Sequence, residues 1–376
     1  MAIHFSTHPA AGDIDPDVWN ELAVSASPVM EWEYFYALEA SGAVSEERGY
    51  RPIHLVAYSG DNVPIGLAPL YERDRAWVEF GDGGLIEFLS EFTGLPFNHG
   101  LVGTLPFTPV PAYQFLCRSD IDSDLVARLL LQYVDHLCIT RNLATARIYF
   151  VAPESPLHAL LLQQGYVALR SYYYLWHNQH YQTFEDYLGS FKSSRRTKIK
   201  RELRSIEALG IDIEMVDGLH APSALFDDIF DMYLRTWIKH MGPAIRPFLN
   251  QDFFNLLGES FRRRCCFSVA RSGTERFGLA LFYHKERALY GRYWGCYKEV
   301  PFLHFATCYY HPIEYAIRHG FEVMDPGFGG DHKLIRGYEM VPVYHYVKFY
   351  GEKQRRVALS VLKQMGIYAS GTSQQG

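Results

Sequence analysis

Apolar positions recur along the chain with two periods. From Asp124 to Thr140 they follow a helical spacing, with Leu125, Leu129, Leu130, Val134 and Leu137 on one side. From Phe302 to His319 the same spacing places Phe302, Ala306, Tyr309, Tyr310, Ile313, Ala316 and Ile317 on one face, and Pro312 predicts a kink. Asp15 as N-cap and Pro16 as first residue predict a helix to Ala26. A further one is expected from Pro28 to Gly42. Buried strands are read at ARIYFVA (Ala146–Ala152) and FEVMD (Phe321–Asp325), and the proline-rich LPFTPVPAYQFLC before the first of these reads as a loop.

The pattern occurs twice. IGLAPLYERDRAW, which starts at Ile65, is matched by FGLALFYHKERAL, which starts at Phe277. Each follows a Val-Ala-Xaa-Ser-Gly segment (Val56–Gly60, Val269–Gly273), so each copy predicts a strand, a tight turn, a second strand, a charged turn and a third strand. LLLQQGYVALRSYYYLW (Leu160–Trp176) mirrors KLIRGYEMVPVYHYVKF (Lys333–Phe349), with Gly165-Tyr166 opposite Gly337-Tyr338. A tandem duplication follows, with a period far too long for a solenoid. Each copy predicts a mixed sheet covered by helices, hence two α/β domains at residues 1–178 and 179–366, with a disordered tail at 367–376.

Composition narrows the class. The 376 residues are 48% hydrophobic and 15% aromatic, enough for two cores, and no apolar run approaches the ~20 residues of a membrane span. The six cysteines form no CxxC pair and the sixteen histidines no HExxH motif, so no metal site is expected and a cytoplasmic location is. A net charge of −6 argues against a protein that coats nucleic acid, though not against a local basic patch.

Three stretches carry candidate chemistry. DPGFGGDHKLIRGYE (Asp325–Glu339) opens beyond a strand end, where open α/β sheets bind ligands. Its Lys333 and Arg336 stand opposite Leu161 and Gln164 of the first copy. With Gly327, Gly329 and Gly330 giving close backbone approach, they suit an oxyanion or a phosphate. Asp325 holds an amine, acts as a base, or pins the Pro326-Gly327 turn, and His332 of the same loop is the other candidate to remove a proton from the amine. Second, Lys192, Arg195, Arg196, Lys198, Lys200, Arg201 and Arg204 crowd a helix docked by Ile199, Leu203 and Ile206 and capped by Ser193 or Ser194. Glu202 is the only acid before Glu207, so one-sign repulsion calls for an anionic partner. Third, alternation in ALYGRYWGCY sets Arg292 and Trp294 on one strand face. Gly291, Tyr293, Gly295 and Tyr297 take the other, predicting a groove between the two tyrosines. His304 and His311 fall opposite the apolar face of their helix, as solvent or inter-domain residues.

SSRRTKIKRELRSIEALGIDIE is similar to the segment that opens the second domain of Fem-type aminoacyltransferases, with its serine, basic run and GV.V-like end. The block from Leu289 to Phe349 resembles the second half of bacterial Fem/GNAT-related proteins of peptidoglycan biosynthesis or recognition. LPFTPVPAY and FEDYLGSFKSSRR extend the likeness across Pro28–Phe349. The resemblance implies two tandem GNAT-like domains and an N-acyltransferase that moves an acyl or aminoacyl group to a small-molecule or peptide amine. Aminoacyl-tRNA or acyl-CoA would be co-substrate, with no tightly bound cofactor. In Fem enzymes a late lysine near a KRGFG-like stretch stabilises the carbonyl charge, and HKLIRGYEM matches there, so Lys333 or Arg336 inherits that role. The basic helix would hold donor phosphates or tRNA. KEVPFLH stands where GNAT enzymes carry a glycine-rich pyrophosphate loop, and the coiled-coil arm of cell-wall Fem enzymes is missing. A non-catalytic module that binds a cell-wall fragment or RNA is the other reading.

Overall fold

The computed structural model describes residues 3–74, 80–82 and 84–367. It divides into unit 1, Met1–Tyr172 with Pro342–Gly376, and unit 2, Tyr173–Val341. The stretch RAW that closes the first repeated phrase and the tail beyond Ile367 lie outside the described residues.

In chain order unit 1 contributes β1 (Ile3–His8), α1 (Pro16–Leu22), α2 (Trp32–Ala40), β2 (Arg51–Pro52), β3 (His54–Ser59), β4 (Pro64–Ala68) and β5 (Tyr71–Arg73). There follow α3 (Leu85–Thr93), β6 (Gly100–Gly103), β7 (Leu116–Cys117), α4 (Ser123–Thr140), β8 (Thr145–Val151), α5 (Pro156–Gln163) and the start of β9 (Val167–His177). Unit 2 takes the end of β9, then α6 (Phe184–Gly189), α7 (Ser193–Glu207), β10 (Asp212–Asp217), α8 (Ala224–Met241), α9 (Gln251–Ser260), β11 (Cys265–Ser272), β12 (Glu275–Lys285) and β13 (Ala288–Cys296). Next come α10 (Leu303–Phe305), α11 (His311–Arg318), β14 (Val323–Asp325) and β15 (Glu339–Phe349), which returns to unit 1 at Pro342, where α12 (Glu352–Gln364) follows. The division therefore differs from a break at 178: the segment from Pro342 onward, expected in the second domain, packs with the first unit.

Unit 1 holds two sheets, β1-β3-β4-β7 and β15-β8-β6-β5-β2, and unit 2 one, β10-β11-β12-β13-β14-β9. Each unit contains one parallel pair among antiparallel neighbours: β6 with β8 from Gly100↔Thr145 to Gly103↔Ile148, and β13 with β14 from Ala288↔Val323 to Tyr290↔Asp325. The parallel strands need a helical crossover, supplied by α4 in unit 1 and by the α10–α11 region in unit 2. Gly165 and Gly337, paired across the repeat, have φ of 79° and 78°, a left-handed turn that favours glycine at both places.

The helix expected from Phe302 to His319 is instead α10, a π-helical stretch Ala306–Tyr310, and α11. Pro312 brings no N–H, so α-type bonding cannot continue through it, and the His311 N–H reaches back to the Ala306 carbonyl. Among the described residues no helix is long and apolar enough to cross a membrane.

Candidate active site

β13 and β14 run together for three residue pairs and then part. The opening is a cleft of 330 Å³ between Gly291–Trp294 on one side and Pro326–Gly330 on the other, with His304, Cys308, Tyr309, His332 and Lys333 in its wall. Gly327, Gly329 and Gly330 have φ of 86°, 75° and 87°, so the loop depends on glycine at each.

Asp325 ends β14 with 1% of its surface exposed. Its Oδ1 accepts from the Tyr173 hydroxyl at 2.8 Å and the Gly327 N–H at 2.7 Å, and its Oδ2 from an Arg292 N–H at 2.6 Å. The carboxylate accepts three hydrogen bonds, and the one from Gly327 pins the Pro326-Gly327 turn. Arg292, with only 5% of its side chain exposed, neutralises it. Removing either partner of such a buried pair costs about 3–5 kcal/mol.

Lys333 sits six residues beyond the pinned turn and is 1% exposed. One Nζ donor goes to the Gly327 carbonyl at 2.6 Å, and the ammonium lies 5.6 Å from the Tyr174 ring. Its other donors have no acceptor among the described residues. Burial pulls its pKa down, Asp325 pulls it up and Arg292 down again, leaving it at about 8. It is a cation at neutral pH, held dry beside a small cleft, ready to meet negative charge that develops there.

Arg336 goes elsewhere. Its guanidinium lies 3.5 Å from the Phe305 ring centre, donates to the His332 carbonyl at 2.7 Å and the Tyr310 hydroxyl at 3.0 Å, and stands 3.6 Å from Glu202. It is 2% exposed and does not line the cleft that Lys333 borders. Its partner Glu202 is the only acid of the basic helix before its last residue, Glu207. Glu202 points inward in the Ile199–Ile206 stripe at 1% exposure and accepts from Tyr310 at 2.6 Å.

The remaining faces of α7 carry the charge. Lys192, not Ser193 or Ser194, occupies the N-cap position, and no side chain caps the helix. Arg195 donates to the Ile335 carbonyl at 2.8 Å, tying the helix to the Lys333 loop, and Lys200 pairs with Glu185 at 2.8 Å. Lys192, Lys198 and Arg201 are exposed and Arg196 half-buried, with no ion pair to any described residue.

Of the residues expected to line a groove, Arg292, Tyr293, Gly329 and Gly330 line the cleft, and Tyr297 does not. An added Cβ at Gly295 would stand 2.2 Å from the Met232 carbonyl oxygen, so the glycine admits the backbone of α8 and not a ligand. Tyr293 borders the cleft with its ring packed edge-on against Tyr233, Phe253 and Phe254, while Tyr297 donates to Asp228 at 3.1 Å away from it. The two histidines of the cleft differ. His332 Nε2 meets the Tyr309 hydroxyl at 2.9 Å, and its Nδ1 edge lies against Gly330, where any Cβ would come within 2.8 Å. His304, expected outside, is in the wall because the π turn rotates the start of its helix out of the α register. A period of 3.6 carried through Pro312 could not show this; the proline itself was the available signal.

Residues 10–366 match the sequence pattern of the FemAB-like family, described as peptidoglycan biosynthesis/recognition. Among solved structures the chain is similar to FemX (11% identity, 95% of this chain and 99% of that one, TM-score 0.59). The C-terminal domain of a putative lysylphosphatidylglycerol synthetase from Agrobacterium fabrum is also similar (10%, 96% and 98%, TM-score 0.54). So is L-PGS from Bacillus licheniformis (12%, 95% and 98%, TM-score 0.50). These likenesses concern the fold. No curated protein sequence matches.

Proposed function

The chain belongs to the FemAB-like family, and we propose that its second unit transfers an acyl or aminoacyl group from a phosphate-bearing donor to an amine. The observation that carries the reading is Lys333, a buried ammonium with free donors in the cleft where β13 and β14 part. The donor carbonyl lies in that cleft. As the amine attacks, charge moves onto the carbonyl oxygen, and the Lys333 ammonium donates to it. Asp325 acts at one remove: it holds Gly327 and Arg292, and Gly327 holds Lys333. Two substrates bound side by side gain most of their rate from orientation, so a rigid loop serves the reaction better than a mobile one.

The donor's phosphates lie along α7, at Lys192, Arg196, Lys198 and Arg201, with Arg195 and Lys200 contributing beside their protein partners. The family description and the likeness to FemX support a peptide-borne amine as acceptor. The test is transfer of radiolabel from aminoacyl-tRNAs and from acyl-CoAs to a lysine-containing peptide at low and high salt. Transfer from tRNA that falls steeply with salt would identify a polyanionic donor. Transfer from an acyl-CoA with weak salt dependence would identify the small one. Binding without transfer from either class would overturn the enzyme reading in favour of a recognition module.

A further inference from the structure

An amine that attacks a carbonyl must lose a proton, and the cleft offers few groups to receive it. Asp325 is buried and already accepts from Tyr173, Gly327 and Arg292, whose charge keeps the carboxylate a weak base. Cys308 is wholly buried, and burial raises its thiol well above the ordinary range, so no thiolate is present. His332 has its Nε2 engaged by the Tyr309 hydroxyl. Of Asp325, His332 and His304, His304 is the one with no polar atom engaged by a described residue. It lines the cleft half-buried, and its ring nitrogens make no hydrogen bond to any described residue. Its ring is nonetheless held in place by Trp294 at 5.4 Å, Phe305 at 5.6 Å, Tyr309 at 5.3 Å and His332 at 6.0 Å between centroids. An aromatic box fixes the imidazole and leaves its nitrogens for a ligand.

We infer that His304 is the proton acceptor for the attacking amine, an inference that rests on the acyl-transfer reading above. The neutral amine nitrogen forms the C–N bond while the carbonyl π pair moves to oxygen, facing Lys333. The proton on the new ammonium nitrogen passes to a ring nitrogen of His304. The tetrahedral adduct collapses, its bond to the donor's ester oxygen or thioester sulfur breaks, and that leaving group takes the proton from the imidazolium. The products are an amide and a free hydroxyl or thiol, and His304 is again neutral. The charged groups around it are those of the cleft loop, His332, Lys333 and Arg336. Burial first, then these three, hold its pKa down to about 4. The ring therefore stays neutral throughout the range where a free imidazole, near 6.5, takes up its proton. So weak a base acts after the C–N bond has formed, when the nitrogen it relieves has become strongly acidic.

Two measurements on the full chain test this. Diethylpyrocarbonate acylates only a neutral imidazole with a free nitrogen. At pH 5.5 and 7, followed by mass spectrometry, it should modify His304 at similar rates, while N-acetylhistidine in the same tube slows at the lower pH. His54 and His345, whose ring nitrogens are both engaged, should stay unmodified. An unmodified His304 overturns the proposal, whichever donor the protein uses. In the radiolabel assay with aminoacyl-tRNAs and acyl-CoAs, His304→Gln should lose about 10²–10⁴-fold in rate with KM little changed. His304→Ala should recover part of the loss on addition of imidazole, which a packing role would not allow. Transfer by His304→Gln at the rate of the parent chain overturns the assignment. If the parent chain transfers from no donor, the acyl-transfer reading falls and takes this role with it, even where His304 is acylated.

Discussion

In unit 1, β6 and β8 part after Gly103 and Ile148, and Tyr113 fills the gap. Its hydroxyl lies 2.4 Å from where a Cβ on Gly103 would stand, its N–H donates to the Phe150 carbonyl at 3.2 Å, and it is 1% exposed. Thr104, Leu105, Phe107, Thr108 and Val110 of the same loop are buried with it. In unit 2, β13 and β14 part after Tyr290 and Asp325, and the gap stays open as the Lys333 cleft. Position by position the contrast repeats: Leu161 is fully buried in unit 1, and its counterpart Lys333 is buried in unit 2. One copy spends its strand opening on a hydrophobic core. The other keeps it open and places in it a desolvated charge, which lowers stability.

Exchanging the paired residues should break this contrast. Leu161→Lys puts an ammonium where unit 1 has no partner for it, and should cost about 3–5 kcal/mol in denaturant unfolding. Arg336→Ala should cost a similar amount by leaving Glu202 buried and uncompensated. Gln164→Ala, its counterpart, should fall within about 0.5 kcal/mol. The reverse exchange, Lys333→Leu, should leave stability unchanged or raise it while lowering transfer about 10²–10³-fold. Loss of both stability and activity would show that Lys333 is structural.

pH sharpens the comparison. Lys333 is deprotonated more easily folded, at about 8, than unfolded, near 10.5. Between those values the unfolded chain binds more protons, so the stability contributed by this group rises with pH, while transfer falls above about pH 8 as the ammonium is lost. Lys333→Leu should remove both trends. Unit 1 responds at the other end of the scale. Burial pushes the Glu39 carboxyl up, but His54, with hydrogen bonds from Ala11 and Tyr71, outweighs this and holds it below the ordinary range. Its stabilisation is complete above the unfolded carboxylate pKa and lost as pH falls through the folded one. Glu39→Gln should flatten that acid limb, the smallest of these effects, and leave transfer unaltered.

The sequence by itself determined the repeat, the mixed α/β class of each half, the basic helix, and the loop from Asp325 to Glu339 as the place where the copies differ. Each of these is a matter of local period, turn chemistry or residue-by-residue comparison, which a linear chain displays. Tertiary structure decided what neighbours each charge has. Lys333 and Arg336 look equivalent three residues apart, yet Lys333 lies at the cleft and Arg336 packs onto Phe305 and Glu202. Gly295 reads as a gap in the sequence and is a seat for α8 in the fold. His304 reads as a surface histidine until the π turn ahead of Pro312 rotates it inward. Burial, pairing and the direction of a side chain depend on residues far away along the chain, and no periodicity encodes them.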